Sequence, residues 1–281
     1  AQNIPPQIFT KTESKVYGQS FFNNSNLSFQ PDLRIATPKG YVLGSSDQLI
    51  ILLTGLNESS LKTEVTPEGN IQIPYVGLIF VNGLTIEQAQ AQIKAKMRRF
   101  YPALSSGQTK LSVTLGNIRS IRVTIIGEVK KPGTYTISSL STMFNALYQT
   151  GGPTENGSLR NIEVIRGNSV IQKVDLYSFL QKGLLDENIR LEDQDVIRIP
   201  FYQKRVVLIG EVKMPSAYEL KPNETIFDLI EYAGGFGPNA YQQMVKVFQK
   251  GKTEQQIKNI PDNIYLKSLL LMLPMKTQRQ T

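Results

Sequence analysis

The sequence contains no cysteine, no histidine and no tryptophan. Without cysteine there is no disulfide and no thiol chemistry, which fits any compartment, because an oxidising space permits disulfides without requiring them. Without histidine the commonest general base and the commonest transition-metal ligand are missing. Ser–His and Cys–His nucleophile pairs and Cys/His zinc sites are excluded, so any enzyme chemistry would rest on carboxylates, lysine or tyrosine. Long apolar runs are missing too. The longest, Leu49–Leu53 and Leu269–Leu273, fall far short of the roughly 18–20 residues that a membrane helix needs.

Charge of one sign is in modest excess: 31 Lys+Arg against 23 Asp+Glu, a net +8 over 281 residues. Such a field favours acidic partners, whether an anionic polysaccharide, nucleic acid or a membrane surface. The basic residues are spread out with no block of five, so the charge also fits ordinary solubility, and nothing beyond charge asks for nucleic acid. The length leaves room for about two or three domains. The chain opens Ala1-Gln2-Asn3 rather than with Met, consistent with a removed secretory signal.

What is present is a repeat. Arg122 to Gly152 (RVTIIGEVKKPGTYTISSLSTMFNALYQTGG) returns without a gap as Arg205 to Gly235 (RVVLIGEVKMPSAYELKPNETIFDLIEYAGG), an offset of 83 residues that carries Gly127 to Gly210 and Gly151 to Gly234. One folded unit has been duplicated. The shared residues are turn and packing residues, as in a scaffold.

Residues 1–38 hold no sustained period and read as an extended arm, with Phe21, Phe22 and Phe29 to lay it along a surface. From Lys39 the pattern is regular. Gly44–Asp47 is a polar turn feeding a strand at Leu49–Leu53. Pro67-Glu68-Gly69-Asn70 reads as a hairpin turn, with Ile71, Ile73 and Tyr75 alternating along the strand after it, and Asn82-Gly83 as a second turn. Thr85 caps a helix with Gln88 at capping-box spacing. Ile86, Ala89, Ile93 and Met97 share its apolar face, Lys94, Lys96, Arg98 and Arg99 suit its C-terminal end, and Pro102 follows as a stop. Lys110–Ile118 is another strand.

Within the repeat, a strand over Arg122–Val129 leads to a tight turn at Lys131-Pro132-Gly133. Pro then Gly predicts type II there, and Ser216 predicts type I in the second copy. Helices over Ser141–Thr150 and Glu224–Ala233 end in Gly-Gly, with Phe144 and Leu147, like Phe227 and Ile230, facing the sheet. A second hairpin turns at Gly167-Asn168, LYSFLQKG is a short helix, and Leu191–Pro200 closes the unit with a strand. This is the order of a β-grasp, the ubiquitin-like fold. The second copy runs to an expected helix at Ile264–Leu273 and then shows no equivalent of the closing strand. Either the strand lies in a longer chain or it comes from elsewhere, leaving an edge open to strand addition.

These residues resemble a known family. YVLGSSDQLIILL, EVTPEGNIQIPYVGLIFVNGLTIEQA and the helix after them resemble the polysaccharide export sequence domain of Wza-type outer-membrane exporters. The repeats, with GEVKKPGTY and GEVKMPSAY as signature turns, resemble the SLBB β-grasp domains that follow it there. The resemblance implies an α+β protein: an extended arm over 1–38, an export-type α/β domain over 39–119, a first SLBB β-grasp over 120–200 and a second over 201–281 that lacks its last strand. It further implies a non-enzymatic, ring-forming component in the periplasm and outer membrane of a Gram-negative bacterium. Its partners would be capsular or exopolysaccharide, acidic glycan being favoured by the charge, an inner-membrane polysaccharide co-polymerase, and the outer membrane through parts not in this chain. Catalytic residues, metal ligands and cofactors are expected to be none, and no ligand-binding residue is assigned. Two departures stand out: Gly44-Ser45-Ser46-Asp47 replaces the family's Pro-Gly-Asp, and neither a lipidated cysteine nor a C-terminal spanning helix is in this sequence.

Other candidates were weighed on chemistry. Glu192, Asp193 and Asp195 could serve a glycosidase or a metal if they converged; a solvated turn is the plainer expectation. Glu128 and Glu211, each two residues before Lys130 or Lys213, share a strand face with that lysine and could pair with it or serve a ligand; a structural role in the hairpin is the plainer expectation. The Gly-Gly pairs follow helices rather than precede them, the wrong side for a phosphate cradle. Most of the 12 Tyr and 12 Phe are expected in the core. The rival reading is a periplasmic or surface β-grasp module that binds a glycan or small ligand without forming a channel.

Overall fold

The computed structural model describes residues 15–23, 40–184, 186–240, 244–248, 255–258 and 270–273. The front module holds β1 (Gln48–Gly55), β2 (Ser59–Glu64), β3 (Asn70–Ile73), β4 (Gly77–Phe80), α1 (Ile86–Met97), α2 (Ala103–Ser106) and β5 (Thr109–Leu115). β1 lies between β2 and β5, both antiparallel to it, while β3 and β4 form a separate ribbon. α1 carries the expected capping box: Thr85 accepts from the Gln88 amide, and Gln88 accepts from the Thr85 amide at 2.9 Å. Its predicted apolar face, Ile86, Ala89, Ile93 and Met97, is buried against a core drawn from Leu49, Ile51, Leu53, Ile71, Ile79 and Val113.

One expectation in this module is corrected. Pro67–Asn70 makes a turn, but it joins β2 to β3, which lie in different sheets. The hairpin itself reverses at Pro74–Val76, where Tyr75 takes φ 65° and is 88% exposed. The Ile71/Ile73 alternation was real; it stopped one step before Tyr75.

The repeated units come next. The first comprises β6 (Ser120–Gly127), β7 (Gly133–Ser138), α3 (Met143–Gln149), β8 (Ile162–Arg166), β9 (Ser169–Val174), α4 (Leu176–Lys182) and β10 (Val196–Ile199). The second comprises β11 (Arg205–Gly210), β12 (Ser216–Glu219), α5 (Ile226–Tyr232), β13 (Met244–Phe248), β14 (Gln255–Lys258) and β15 (Leu270–Leu273). The sheets run β7-β6-β10-β8-β9 and β12-β11-β15-β13-β14. β10 is parallel to β6 and β15 is parallel to β11. In both units the last strand enters beside the first and parallel to it, which is the β-grasp arrangement, and the two sheets remain separate.

β15 overturns two expectations. The segment ending at Leu273 holds a strand, not a helix, at Leu270–Leu273, and the last position of the second sheet is filled from within the chain. A short apolar run reads equally as buried strand or buried helix; the slot between β11 and β13 decided it. The Pro-Gly turn is also corrected. The β6–β7 ladder ends at Ile125↔Gly133, so the connection is a longer loop, and Gly133 has φ 152° rather than the roughly 80° of a type II turn. Phe227 departs from its counterpart. Phe144 is buried beside Phe179 of α4, whereas Phe227 is 40% exposed; the stretch that would supply the second copy's α4 lies outside the described residues, as does Phe29.

The GEVK signature has a mechanical explanation. Gly127 has φ 87°, and a Cβ there would overlap the Ile199 carbonyl; Gly210 has φ 103° in the same place. Behind that glycine the chain doubles back onto the end of the helix. Lys130 donates its amide to Gly152 at 3.1 Å and Thr154 donates to Glu128 at 2.9 Å; Lys213 to Gly235 and Gly237 to Glu211 repeat this at 3.1 and 2.8 Å. The Gly-Gly pairs close the helices, with Gly152 donating to Leu147 and Gly235 to Ile230, both at 2.9 Å. Signature turn and helix stop are thus one locked unit, which is why they recur together.

Both β-grasps and the arm share a single apolar cluster, separate from that of the front module. The arm enters it at Phe22, so the expectation that its aromatics lie on a surface holds for Phe21 and Phe22.

Candidate functional site

The acidic trio closes a turn rather than forming a catalytic pair. Asp195 is fully buried, with its two oxygens on Arg166, each at 2.8 Å, and one also accepting the Glu192 amide. Glu192 meets the same guanidinium at 2.5 Å. Asp193 accepts the Arg122 amide, a bond that holds its carboxyl below the usual range, with help from Gln194. The expectation of a wholly solvated turn fails for Asp195, which neutralises a buried position by pairing. Asp195 is fully buried with its oxygens committed to Arg166 and the Glu192 amide, so it is not open to a substrate as a glycosidase carboxylate must be. Among the described residues no group of three or more His, Cys, Asp and Glu is placed to hold a metal, and no helix is long and apolar enough to cross a membrane.

Glu128 and Lys130 do not face each other: Glu128 accepts the Thr154 hydroxyl at 2.7 Å, and Lys130 reaches Asn23 of the arm at 2.8 Å. Asp47, the acidic residue kept from the family's turn, is the hub of the front module. It is fully buried and accepts from Tyr41 Oη at 2.7 Å, the Gly44 amide at 2.8 Å and the Arg119 amide at 3.1 Å, and it pairs with the Arg119 guanidinium. Burial raises the Tyr41 phenol well above its ordinary value. Tyr41 Oη also meets Ser139 at 2.8 Å, tying the front module to the first β-grasp.

The largest polar constellation escaped the sequence reading. Arg160, 8% exposed, bridges the two β-grasps. From the first unit it takes Asp175 at 3.0–3.1 Å through Nε and Nη2; from the second it takes Glu224 at 2.5 and 2.7 Å and the Glu219 carbonyl at 3.0 Å. Its guanidinium lies over Tyr177 and Tyr232, 4.5 and 5.1 Å from the ring centroids. Burial works against the charge, but the Glu224 and Asp175 bonds outweigh it, so the guanidinium titrates above its usual range. Beside it Glu219 crosses the junction, accepting from Ser158 Oγ and the Leu159 amide at 2.5 and 2.8 Å; burial nonetheless raises its pKa. These partners lie up to 72 positions apart in sequence, so no local spacing announces them. The one local feature is that Arg160 and Asp175 flank the second hairpin of the unit.

The geometry places an arginine hub at each junction. Residues 35–115 match the model described as polysaccharide biosynthesis/export protein, and residues 121–199 and 205–258 match SLBB domain models. The chain carries a polysaccharide export domain followed by two SLBB domains. It is 25% identical over 266 residues to the polysialic acid transport protein KpsD of Escherichia coli, covering 92% of this chain and 45% of that one. It is 26% identical over 262 residues to the EPS I polysaccharide export outer membrane protein EpsA of Ralstonia nicotianae, covering 84% of this chain and 66% of that one. The chain thus spans between about half and two thirds of the curated relatives it matches. Asp47 and Arg119 sit where the export domain meets the first SLBB domain, and Arg160 where the two SLBB domains meet.

Proposed function

We propose that this chain is a periplasmic, ring-forming and non-catalytic component of an outer-membrane exporter for capsular or extracellular polysaccharide in a Gram-negative bacterium. Its units are the export domain over 39–119 and SLBB domains over 120–200 and 201–281. The observation that carries the reading is the order of the matched domains in one chain, in company with relatives named for polysialic acid transport and exopolysaccharide export. The chemistry of the residues supports it. Asp47, Asp175 and Asp195 are bound to arginines, and Glu219 to backbone and serine. Asp47, Asp175 and Glu219 belong to the clusters at the domain junctions and Asp195 closes a turn, so none is poised as acid or base. The working element is then a water-filled path enclosed by identical subunits through heterologous contacts, with the net +8 charge favouring an acidic glycan. An inner-membrane co-polymerase would deliver the polymer, membrane attachment would use parts outside this chain, and nucleic acid is not a partner.

A strain lacking the full-length gene tests this. Polymer made but retained inside the outer membrane, restored to the surface by the gene, is the expected result. Unchanged surface polymer would remove the export role. Shortening of purified polymer on incubation with the protein would overturn its non-catalytic character. Tight binding of a short glycan without any effect on export would favour the ligand-binding module instead.

A further inference from the structure

The N-terminal arm is seated in a groove that both SLBB domains build. Val16 bridges Ala217 in parallel, extending the edge strand β12: the Tyr17 amide donates to the Ala217 carbonyl, and the Ala217 amide donates to the Lys15 carbonyl, each at 3.0 Å. Ser216 Oγ donates to the same Lys15 carbonyl. Tyr17 then crosses the domain boundary. Its ring stacks on Tyr218 of the second SLBB domain and meets Tyr177 of the first edge-on, both at 5.0 Å between centroids, and its hydroxyl accepts from Gln181. Gly18, at φ 83°, turns the chain where a side chain would strike Leu180. Phe21 packs on Tyr148 and Phe179 at 4.8 and 5.4 Å, and Phe22 covers Gly152, where a Cβ would overlap its ring.

This is a one-residue strand addition to an open edge, continued by a 3-10 turn over Gln19–Phe22 whose aromatic rings, with that of Tyr17, fill sockets on the SLBB domains. Outside the bonds it makes within itself, the nine-residue stretch Lys15–Asn23 makes its described contacts with the SLBB domains, and the 15 residues from 24 to 38 separate it from the export domain. Those 15 residues reach at most roughly 50 Å when extended. A segment recognised so locally, and joined to the export domain only through a connection of that reach, can be supplied by either copy. The contacts are the same whether the segment belongs to its own copy or to a neighbour, so the choice depends on relative concentration. Short flexible linkers in general supply about millimolar effective concentrations, a level that neighbours packed in an assembly also reach.

We propose that the groove across the SLBB domains is an exchangeable docking site for this N-terminal segment, and that it takes the segment of a second copy, lacing neighbouring subunits together. This goes beyond the export reading and does not depend on it.

The absence of cysteine makes a clean test available. Full-length Val16→Cys and Ala217→Cys proteins are mixed under oxidising conditions, up to the about millimolar range of a tether, and the double variant is oxidised alone. A disulfide between the two single variants can form only between copies. The expected result is a double-mass band from the mixture that disappears when Tyr17→Ala and Phe22→Ala are added to the arm-bearing partner, beside efficient closure of the double variant. Closure of the double variant with no band from the mixture would overturn the proposal, because the arm would then be permanently its own copy's. A band that survives the aromatic substitutions, or that forms equally with exposed Ser105→Cys in place of Val16→Cys, would overturn it as random collision. Failure of the double variant to close would show that the arm does not occupy the groove.

Discussion

Arg160→Ala is the most informative single perturbation. The arginine is buried with Asp175 and Glu224, whose side chains are 8% and 14% exposed. Removing it leaves two carboxylates in low dielectric without their partner, a change that costs about 3–5 kcal/mol. Lys221 stays 2.7 Å from Asp175 and is itself half-exposed, which tempers the loss, so we take about 3–4 kcal/mol. Both SLBB domains share one apolar cluster and the export domain has its own, so two unfolding steps are expected and only the SLBB step should move. At roughly 2–4 °C per kcal/mol for a unit of this size, the drop is about 6–16 °C by calorimetry. Lys173→Ala supplies the contrast: its pair with Glu163 is 3.6 Å long and the lysine is 63% exposed, so less than about 1 kcal/mol is at stake. Coupling to Asp175→Asn should be strongly less than additive. An Arg160→Ala shift no larger than that of Lys173→Ala, or one that falls equally on both steps, would refute the view that this arginine fastens the two domains.

Asp47→Ala strips the export domain of the acceptor for Tyr41, Gly44 and Arg119; a loss of about 3 kcal/mol or more should appear in the export step and leave the SLBB step in place. Gly152→Ala forces a side chain into φ 77° and against Phe22, at about 1–3 kcal/mol for the backbone alone. Limited proteolysis near Asn23 should accelerate, and intact cleavage kinetics would contradict the seating of the arm. Gly127→Ala, aimed at the Ile199 carbonyl, should destabilise the first SLBB domain by a similar amount, read as urea midpoint. Glu219 gives a pH dependence. Its folded pKa lies above the unfolded value, so its contribution is complete below about pH 4.3 and declines as pH rises through the raised folded value. Glu219→Gln should flatten that part of the stability–pH curve, while an unchanged slope would place the titration elsewhere.

Much of the fold was legible because its signals are local. The Thr85–Gln88 box, the Ile86–Met97 face, the Gly167-Asn168 turn (φ 54° and 64°) and the Gly-Gly stops each follow from a few adjacent residues, and the 83-residue offset showed that one unit had been copied. What failed was set by distant partners. Leu270–Leu273 became a strand because β11 and β13 leave a slot for it. Tyr75 left the alternation because β3 must turn back onto β4. Arg160, Glu219 and Glu224 gave no pattern, since an ion cluster between domains needs the domains in place first. The arm's aromatics suggested a surface, but neither Tyr17 nor the β12 edge could be named as its seat. The signature residues proved to be structural because GEVK and Gly-Gly bond to each other across each unit.

Imaging of the full-length protein in membranes by electron microscopy tests the central claim most directly. A closed ring is predicted, each subunit contributing an export domain and two separate five-stranded β-grasps joined at Arg160. Single, unassociated subunits at every concentration, or a density in which the two sheets merge into one, would contradict it.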